Sequence, residues 1–151
     1  MKPNREDLWN CNRMNTKTKL ILIKKVKENL KAIRQALDRP VSPDDLIGVQ
    51  EKLIDLIEIT GLASYTEGIT KSCYESELSE ALELLLQEPD NAKSGSNNIM
   101  AIAKGKVANY LGALSYSERL GRNISHAMDG LRTIISLQKE EMSQNKWGEP
   151  T

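Results

Sequence analysis

A cluster of basic side chains near the N-terminus has the spacing of one helix face. Steps of three and four residues separate Lys24, Lys27, Lys31 and Arg34, and residues at these steps lie on the same side of a helix. Clustered lysine and arginine side chains can bind the phosphates of a polyanion. A row of this kind is also often only a solvated helix face. These four residues, called the basic ridge below, are therefore a candidate polyanion-binding site.

A second basic group extends this candidate site, and the aromatic content limits it. Lys104 and Lys106 lie close in sequence to Tyr110. Proteins that bind single-stranded nucleic acid usually add aromatic side chains on which the bases stack. The first basic segment has no aromatic residue beyond Trp9. The pattern supports contacts with phosphates and does not support base-specific recognition.

The residues needed for catalysis or metal binding are scarce. The chain has one His and two Cys, too few for a four-ligand zinc site. His126 is the single histidine that could act as a base, so no catalytic triad is predicted. Its neighbours Arg122 and Asp129 suggest a surface charge cluster, and Gly105-Lys106 lacks the rest of a phosphate-binding loop. We expect no enzyme activity, no metal and no cofactor.

The net charge of zero results from strongly segregated charges. Residues 1–40 hold eleven Lys/Arg and four Asp/Glu, whereas residues 41–90 hold two Lys/Arg and twelve Asp/Glu. Residues 91–151 are mildly basic, with eight Lys/Arg and five Asp/Glu. Such segregation indicates either segments or subunits that attract one another or a basic arm with a polyanionic partner. We expect the first, with the basic ridge paired to the acidic segment.

Composition favours a single, mostly helical domain. Hydrophobic residues make up 39% of the chain and aromatic residues 4%, with no Phe, which argues against both disorder and a β-sandwich. The longest strictly apolar run is residues 20–23, far short of the roughly 20 residues of a membrane span. We therefore expect a soluble cytoplasmic protein that does not bind membranes.

The first helix is predicted over residues 16–39. Residues 1–15 show no periodicity and are predicted to be a flexible tail, in which Met14 is an alternative start. A helical stripe then follows, and Pro40 ends the helix because its ring disfavours helical geometry at the preceding residue. The stripe consists of Ile23, Val26, Leu30, Ile33 and Leu37.

A second helix is predicted over residues 43–87. Ser42 is a suitable N-cap, and the Pro and two Asp that follow favour a helix start. The apolar register shifts near Gly61, and Gly68 is a further weak breaker, so either one long helix or two shorter ones fits the pattern. We favour one slipped or kinked helix, followed by a loop over residues 88–96.

The third predicted helix, over residues 96–142, has the most regular pattern of the chain. Apolar residues recur in the heptad spacing of a coiled coil, and the helix would be about 70 Å long at 1.5 Å per residue. A helix of this length would expose much of its apolar stripe unless another subunit covered it. Residues 143–151 are predicted to be a second flexible tail. The stripe, called the seam below, consists of Met100, Ala103, Val107, Tyr110, Leu114, Ser117, Gly121, Ile124, Met128, Leu131 and Ile135.

These elements predict an all-α fold. It would contain two long antiparallel helices and a shorter basic N-terminal helix, in a bundle or coiled coil that forms homo-oligomers through its seam. The function expected from this layout is non-enzymatic: an assembly or adaptor protein. The alternatives are an accessory protein that binds single-stranded DNA and a regulator that docks a helix on an enzyme.

Part of the third helix carries a resemblance to phage proteins. The stretches 117–120, 131–133 and 139–142, which read SERL, LRT and KEEM, resemble the C-terminal helix of short phage open reading frames. In size and helical pattern, the chain is more distantly similar to UvsY-type recombination mediators. That resemblance implies an oligomeric, non-enzymatic protein that binds single-stranded DNA in the host cytoplasm; a structural role in the virion is also compatible with a phage origin. The twelve carboxylates of residues 41–90 depart from what a DNA-wrapping surface needs.

Overall fold

The computed structural model describes residues 15–147, which form four α-helices and one short 3-10 helix. No β-strand occurs in this range, so the predicted all-α class is confirmed for it. The predicted tails over 1–14 and 148–151, with the alternative start at Met14 and with Trp9, lie outside the described residues. The helices are α1 (Thr16–Asp38), α2 (Leu46–Gln87), the 3-10 helix (Pro89–Lys93), α3 (Ser96–Lys106) and α4 (Ala108–Trp147).

Helix α1 agrees with its predicted extent to within one residue. The side chain of Asn15 caps its start by accepting a hydrogen bond of 3.0 Å from the backbone N–H of Lys17. The helix ends at Asp38, just before the residue that precedes Pro40. Leu22, Val26 and Ile33 are its buried residues, so the opposite side of the helix faces solvent.

Helix α2 is one continuous helix of 42 residues that begins later than predicted. Its N-cap is Asp45, not Ser42, and the Asp45 carboxylate accepts a hydrogen bond of 3.0 Å from the backbone N–H of Gly48. The carboxylate is the better cap here because it is also attracted to the positive end of the helix dipole. Gly61 and Gly68 do not interrupt the helix, which resolves the two alternatives in favour of one helix.

The predicted helix over 96–142 begins at the predicted residue, Ser96, but is wrong in its continuity and in its C-terminal end. The chain leaves helical geometry at Val107, where φ is −107° and ψ is 20°, so that α3 and α4 are separate helices. Gly95 is the N-cap of α3. Helix α4 continues to Trp147, through the first part of the predicted tail.

A second apolar cluster explains the break at Val107. Ile99 and Ala103 of α3 pack on Ala81 and Leu85 near the end of α2, together with Val107 itself. Most of α4 instead packs on the earlier part of α2 and on α1. Because the chain turns at Val107, α3 packs in the second cluster while α4 packs in the main core. Gly105, a weak helix former, lowers the free-energy cost of leaving the helix at that point.

The main core lies where α1, α2 and α4 meet. Burial of such apolar side chains is the dominant favourable term in folding. The C-terminal part of α4 lies beside the start of α2, where the amide of Gln138 donates a hydrogen bond to the carbonyl of Pro43. The buried members of this core are Ile33, Val49, Leu56, Ala63, Leu120, Ile124 and Leu131.

The seam faces the interior of the chain, with its first residues in the second apolar cluster and its last residues in the main core. Six of its members are buried: Ala103, Val107, Leu114, Ser117, Ile124 and Leu131. Four more are half-buried: Tyr110, Gly121, Met128 and Ile135. Met100 is exposed, and the seam pattern did not include the buried residues Ile99 and Leu120. Because helices of the same chain cover most of the seam, a second subunit is not needed to bury it.

Candidate functional site

The basic ridge lies on the solvent side of α1. All four of its side chains are exposed, and they stand opposite the buried stripe of Leu22, Val26 and Ile33. The apolar residues of α1 pack against α2 and α4, and the ridge on the opposite side of α1 therefore faces solvent.

Four of the twelve carboxylates of residues 41–90 form ion pairs with cations at the two ends of α1, and no ion pair among the described residues joins this segment to the ridge. Near the N-terminal end, the ammonium of Lys19 lies 2.8 Å from a carboxylate oxygen of Glu77 and 2.7 Å from one of Glu80. Beyond the C-terminal end, the guanidinium of Arg39 bonds Asp55 and lies 3.4 Å from Glu51. The expectation that the ridge pairs with the acidic segment within the chain is therefore wrong.

Lys19 shows how strongly its end of α1 is fixed. Partial burial acts to lower the pKa of the Lys19 ammonium, but hydrogen bonds and attraction from Glu77 and Glu80 outweigh it, so the pKa is raised above its ordinary value of 10.5. The Lys19 side chain is only 14% exposed. Its positive charge is therefore used inside the fold and is not available to a ligand.

The ridge itself retains free cationic groups. Among residues 15–147, the ammonium groups of Lys24, Lys27 and Lys31 form no ion pair and no hydrogen bond that meets ordinary distance limits. Arg34 bonds Asp38 one turn further along α1, at 2.6 Å. The ridge thus keeps most of its positive charge for solvent ions or for a ligand.

An aromatic side chain from α4 lies beside the ridge, although the sequence shows none nearby. The Asp38 carboxylate and, to a lesser extent, the nearby Tyr116 hydroxyl raise the pKa of the Arg34 guanidinium. On the same tyrosine, the guanidinium carbon of Arg119 lies 5.4 Å from the ring centroid, within the range of a cation–π interaction. Tyr116 and Arg119 therefore extend the ridge from α1 onto α4.

A cleft opens next to the ridge between α1, α2 and α4. Its volume is about 310 Å³, and its lining is mostly apolar. The lining includes the ridge residue Lys27, the amide side chain of Asn109 and the ring of Tyr110. Desolvation by burial raises the pKa of Tyr110, as expected for a ring that is partly enclosed. The cleft thus combines a cation, an amide and an aromatic ring.

The remaining predicted site residues are not part of this surface. Lys104 and Lys106 lie in the last turn of α3, where basic side chains are favoured by the helix dipole, and α3 packs mainly on α2. Asp129 pairs with Arg132 at 3.1 Å, so the predicted grouping around His126 is replaced by an ordinary surface ion pair. The structure therefore brings the ridge together with α4 and leaves the α3 lysines apart.

A second groove, between α2 and α4, has a polar lining. It encloses about 510 Å³ and includes the side chains of Glu67, Glu118 and Arg122. Within the described range, no set of three or more His, Cys, Asp or Glu side chains is placed to hold a metal ion. Cys73 is buried beside Leu22 and contributes to the core.

Comparison of the chain with family models, with curated proteins and with solved structures found no match. The resemblance to phage proteins and to UvsY-type mediators therefore stays a prediction. None of the helices within residues 15–147 combines the length and the apolar character that a membrane-spanning segment requires.

Proposed function

We propose that this chain is a non-enzymatic accessory protein that binds single-stranded nucleic acid along the basic ridge. The observation that carries the proposal is the outward ridge beside Tyr116 and Arg119, in which three of the four cations form no ion pair among the described residues. A phosphate backbone needs cations at intervals along a surface. The four ridge residues, spaced over about 15 Å of helix at 1.5 Å per residue, provide them.

A single strand fits this surface better than a duplex because its bases can leave the stack. The Tyr116 ring and the Arg119 guanidinium are flat surfaces on which a base can stack. The cleft beside Lys27 can take a further base, and Asn109 in its lining supplies an amide for a hydrogen bond to the base edge. Binding of this kind depends on phosphate charge and stacking and has little sequence preference.

Four of the twelve acidic residues that seemed to disfavour this function form ion pairs at the ends of α1. Glu77, Glu80, Glu51 and Asp55 interact with Lys19 and Arg39 at the ends of α1. In this arrangement, the carboxylates hold α1 against α2 and leave its outer side to the ligand. The strong charge segregation of the sequence is then a means of orienting the ridge.

Fluorescence anisotropy with a labelled single-stranded oligonucleotide tests the proposal. We expect the wild type to bind at low salt, and a variant with Lys27→Gln, Lys31→Gln and Arg34→Gln to lose at least about tenfold in affinity. The matched control removes three positive charges elsewhere, through Lys71→Gln, Arg132→Gln and Lys139→Gln. Equal losses in the two variants would show that the ridge is not the binding site.

The contribution of Tyr116 needs variants that preserve its packing, because the ring is half-buried against the core. Tyr116→Phe keeps the ring, and we expect it to bind the oligonucleotide nearly as well as the wild type. Tyr116→Leu keeps apolar bulk but removes the stacking surface, and we expect it to lose about tenfold in affinity, since stacking of one base contributes about 1–3 kcal/mol. Similar affinities for Tyr116→Leu and Tyr116→Phe would remove Tyr116 from the site.

A second candidate function, an assembly or adaptor protein, is supported by a different observation. Part of α2 presents large apolar side chains to solvent, and contiguous apolar surface of this kind is typical of protein–protein contacts. The two candidates are compatible because the surfaces involved are separate.

A further inference from the structure

A second tyrosine lies beside α1, on the side of α1 that faces α2. The ammonium of Lys25 lies 5.1 Å from the centroid of the Tyr65 ring, within the range of a cation–π interaction. It also donates a hydrogen bond of 3.3 Å to the Tyr65 hydroxyl. Tyr65 nevertheless remains 41% exposed. A partly exposed ring next to a cation is also what Tyr116 and Arg119 form on α4.

The backbone of α2 at Tyr65 is held against α1 by the next residue. Thr66 is completely buried, and its hydroxyl accepts a hydrogen bond of 3.0 Å from the side-chain amide of Asn29 on α1. The same hydroxyl donates a hydrogen bond of 2.7 Å to the carbonyl of Leu62, one turn earlier on α2. These directional contacts fix the position of α2 beside α1, while the ring of Tyr65 stays at the surface.

The two tyrosines flank α1 on opposite sides. Tyr65 contacts Lys25, and Tyr116 lies beside Arg34; Lys25 and Arg34 are nine residues apart. At 3.6 residues per turn, nine residues make two and a half turns, so Lys25 and Arg34 project from opposite sides of the helix. A path from one tyrosine to the other over the solvent side of α1 therefore crosses the basic ridge.

This outward path is strongly basic. Lys24, Lys27 and Lys31 lie on it, and all three are exposed. Between Lys25 and Arg34, the sequence of α1 contains a single carboxylate, Glu28. One negative charge is outnumbered by the three ridge lysines, so the path attracts phosphates over its whole length.

We infer that a single strand crosses α1 from Tyr116 to Tyr65, with its phosphates on the basic ridge and a base stacked on each ring. Tyr65 is then a second stacking site on the surface, beyond the one formed by Tyr116 and Arg119. The inference rests on the proposed function and adds the direction of the strand and the length that it must have.

The required length follows from the helix between the two rings. Nine residues rise about 14 Å along the axis, and a helix is about 10 Å across, so the two stacking sites are roughly 17 Å apart. Consecutive nucleotides of a stacked strand rise about 3.4 Å. A strand therefore needs about five steps, or about six nucleotides, to reach both rings. Domains that bind single strands cover sites of similar size.

Fluorescence anisotropy with a labelled strand of twelve deoxyadenosines tests the second stacking site. Tyr65→Leu keeps apolar bulk but removes the flat ring, and we expect it to lose about tenfold in affinity. The salt dependence of binding should stay the same, because no cation is removed. Tyr65→Phe keeps the ring and should bind nearly as tightly as the wild type. The matched control is Tyr74→Leu, at a half-buried tyrosine of α2 that contacts the second apolar cluster; it should leave the affinity unchanged.

Strand length tests whether one strand reaches both rings. A trinucleotide has only two steps, so it can occupy one stacking site at a time. Tyr65→Leu should then weaken trinucleotide binding by no more than about twofold, because the site at Tyr116 remains. Equal losses for the trinucleotide and for the twelve-nucleotide strand, measured by NMR titration at low salt, would overturn the crossing.

Tryptophan emission detects the base at Tyr65 directly. Tyr65→Trp, in a chain whose Trp9 and Trp147 are replaced by phenylalanine, carries one indole, and a stacked base should quench its emission. Leu137→Trp in the same background is the control, because Leu137 is 55% exposed on α4 and lies away from the ridge; its emission should stay constant. Emission of Tyr65→Trp that is unchanged at saturation with the strand would overturn the inference, even if Tyr65→Leu binds more weakly.

The outcomes separate this inference from the proposed function. If the variant with Lys27→Gln, Lys31→Gln and Arg34→Gln loses affinity but Tyr65→Leu does not, the ridge binds nucleic acid and the crossing to Tyr65 is wrong. Absence of binding by the wild type at low salt would overturn both. Urea unfolding of Tyr65→Leu verifies that a loss of affinity does not arise from a loss of the fold.

Discussion

Removal of one buried leucine from α4 should destabilise the protein far more than removal of an exposed leucine from the same helix. Leu120 is 2% exposed and contacts the main core, whereas Leu137 is 55% exposed. Leucine-to-alanine changes in a core cost about 2–5 kcal/mol of unfolding free energy, which combines lost transfer energy with the cavity left behind. Because leucine and alanine are both good helix formers, the intrinsic helix preference changes little in either variant.

The expected loss of unfolding free energy is large enough to be measured by standard unfolding experiments. At about 3 kcal/mol, Leu120→Ala should lower the melting temperature by roughly 10 °C in a chain of this length. Leu137→Ala should change the unfolding free energy by less than about 0.5 kcal/mol. Urea unfolding followed by circular dichroism measures both, and an unchanged slope against urea would show that the unfolded states are comparable. Equal losses of stability would refute the placement of α4 against α1 and α2.

Three further predictions concern individual contacts. Because the pKa of Lys19 is raised in the folded state, the stabilisation from its ion pairs is complete below the ordinary pKa and is lost as the pH rises through the raised value. In urea unfolding at pH 9 and above pH 11, the wild type should lose more unfolding free energy between the two pH values than Lys19→Met does, and equal losses would contradict this. Gly112→Ala should raise the melting temperature, because an added Cβ meets nothing within 4 Å and alanine stabilises the helix by about 1 kcal/mol. Gly48→Ala should lower the melting temperature because of the clash with Asp45, and a rise in both variants would refute the capping contact. Asp45→Ala should cost about 1 kcal/mol of unfolding free energy through loss of the cap, and an unchanged urea midpoint would show that the cap does not contribute.

Local signals were sufficient to predict where α1 and α2 end. Pro40 and the apolar period before it predict the end of α1, because both act within a few residues of the chain. The break at Val107 escaped prediction for the opposite reason. The apolar period passes through Val107 unchanged, and the turn results from packing on Ala81 and Leu85, which are distant in sequence.

The candidate site was likewise only partly predictable from the sequence. Helical spacing identifies the ridge as one face, but only the fold shows that Lys19 and Arg39 take the acidic partners. Tyr116 reaches Arg34 from another helix, and no local pattern connects the two. The spacing of Tyr116 and Arg119, three residues apart, is the one signal in the sequence that could have indicated a stacked pair on α4.

The salt dependence of oligonucleotide binding tests the proposed function most directly. Contacts from the four ridge residues and Arg119 would release counterions from about five phosphates, so the logarithm of the association constant should fall with the logarithm of salt concentration at a slope near −3.5, or about −0.7 per contact. In the variant with Lys27→Gln, Lys31→Gln and Arg34→Gln, two contacts remain and the slope should fall to about −1.4. A slope near zero, or the same slope in the wild type and in this variant, would contradict phosphate binding by the ridge.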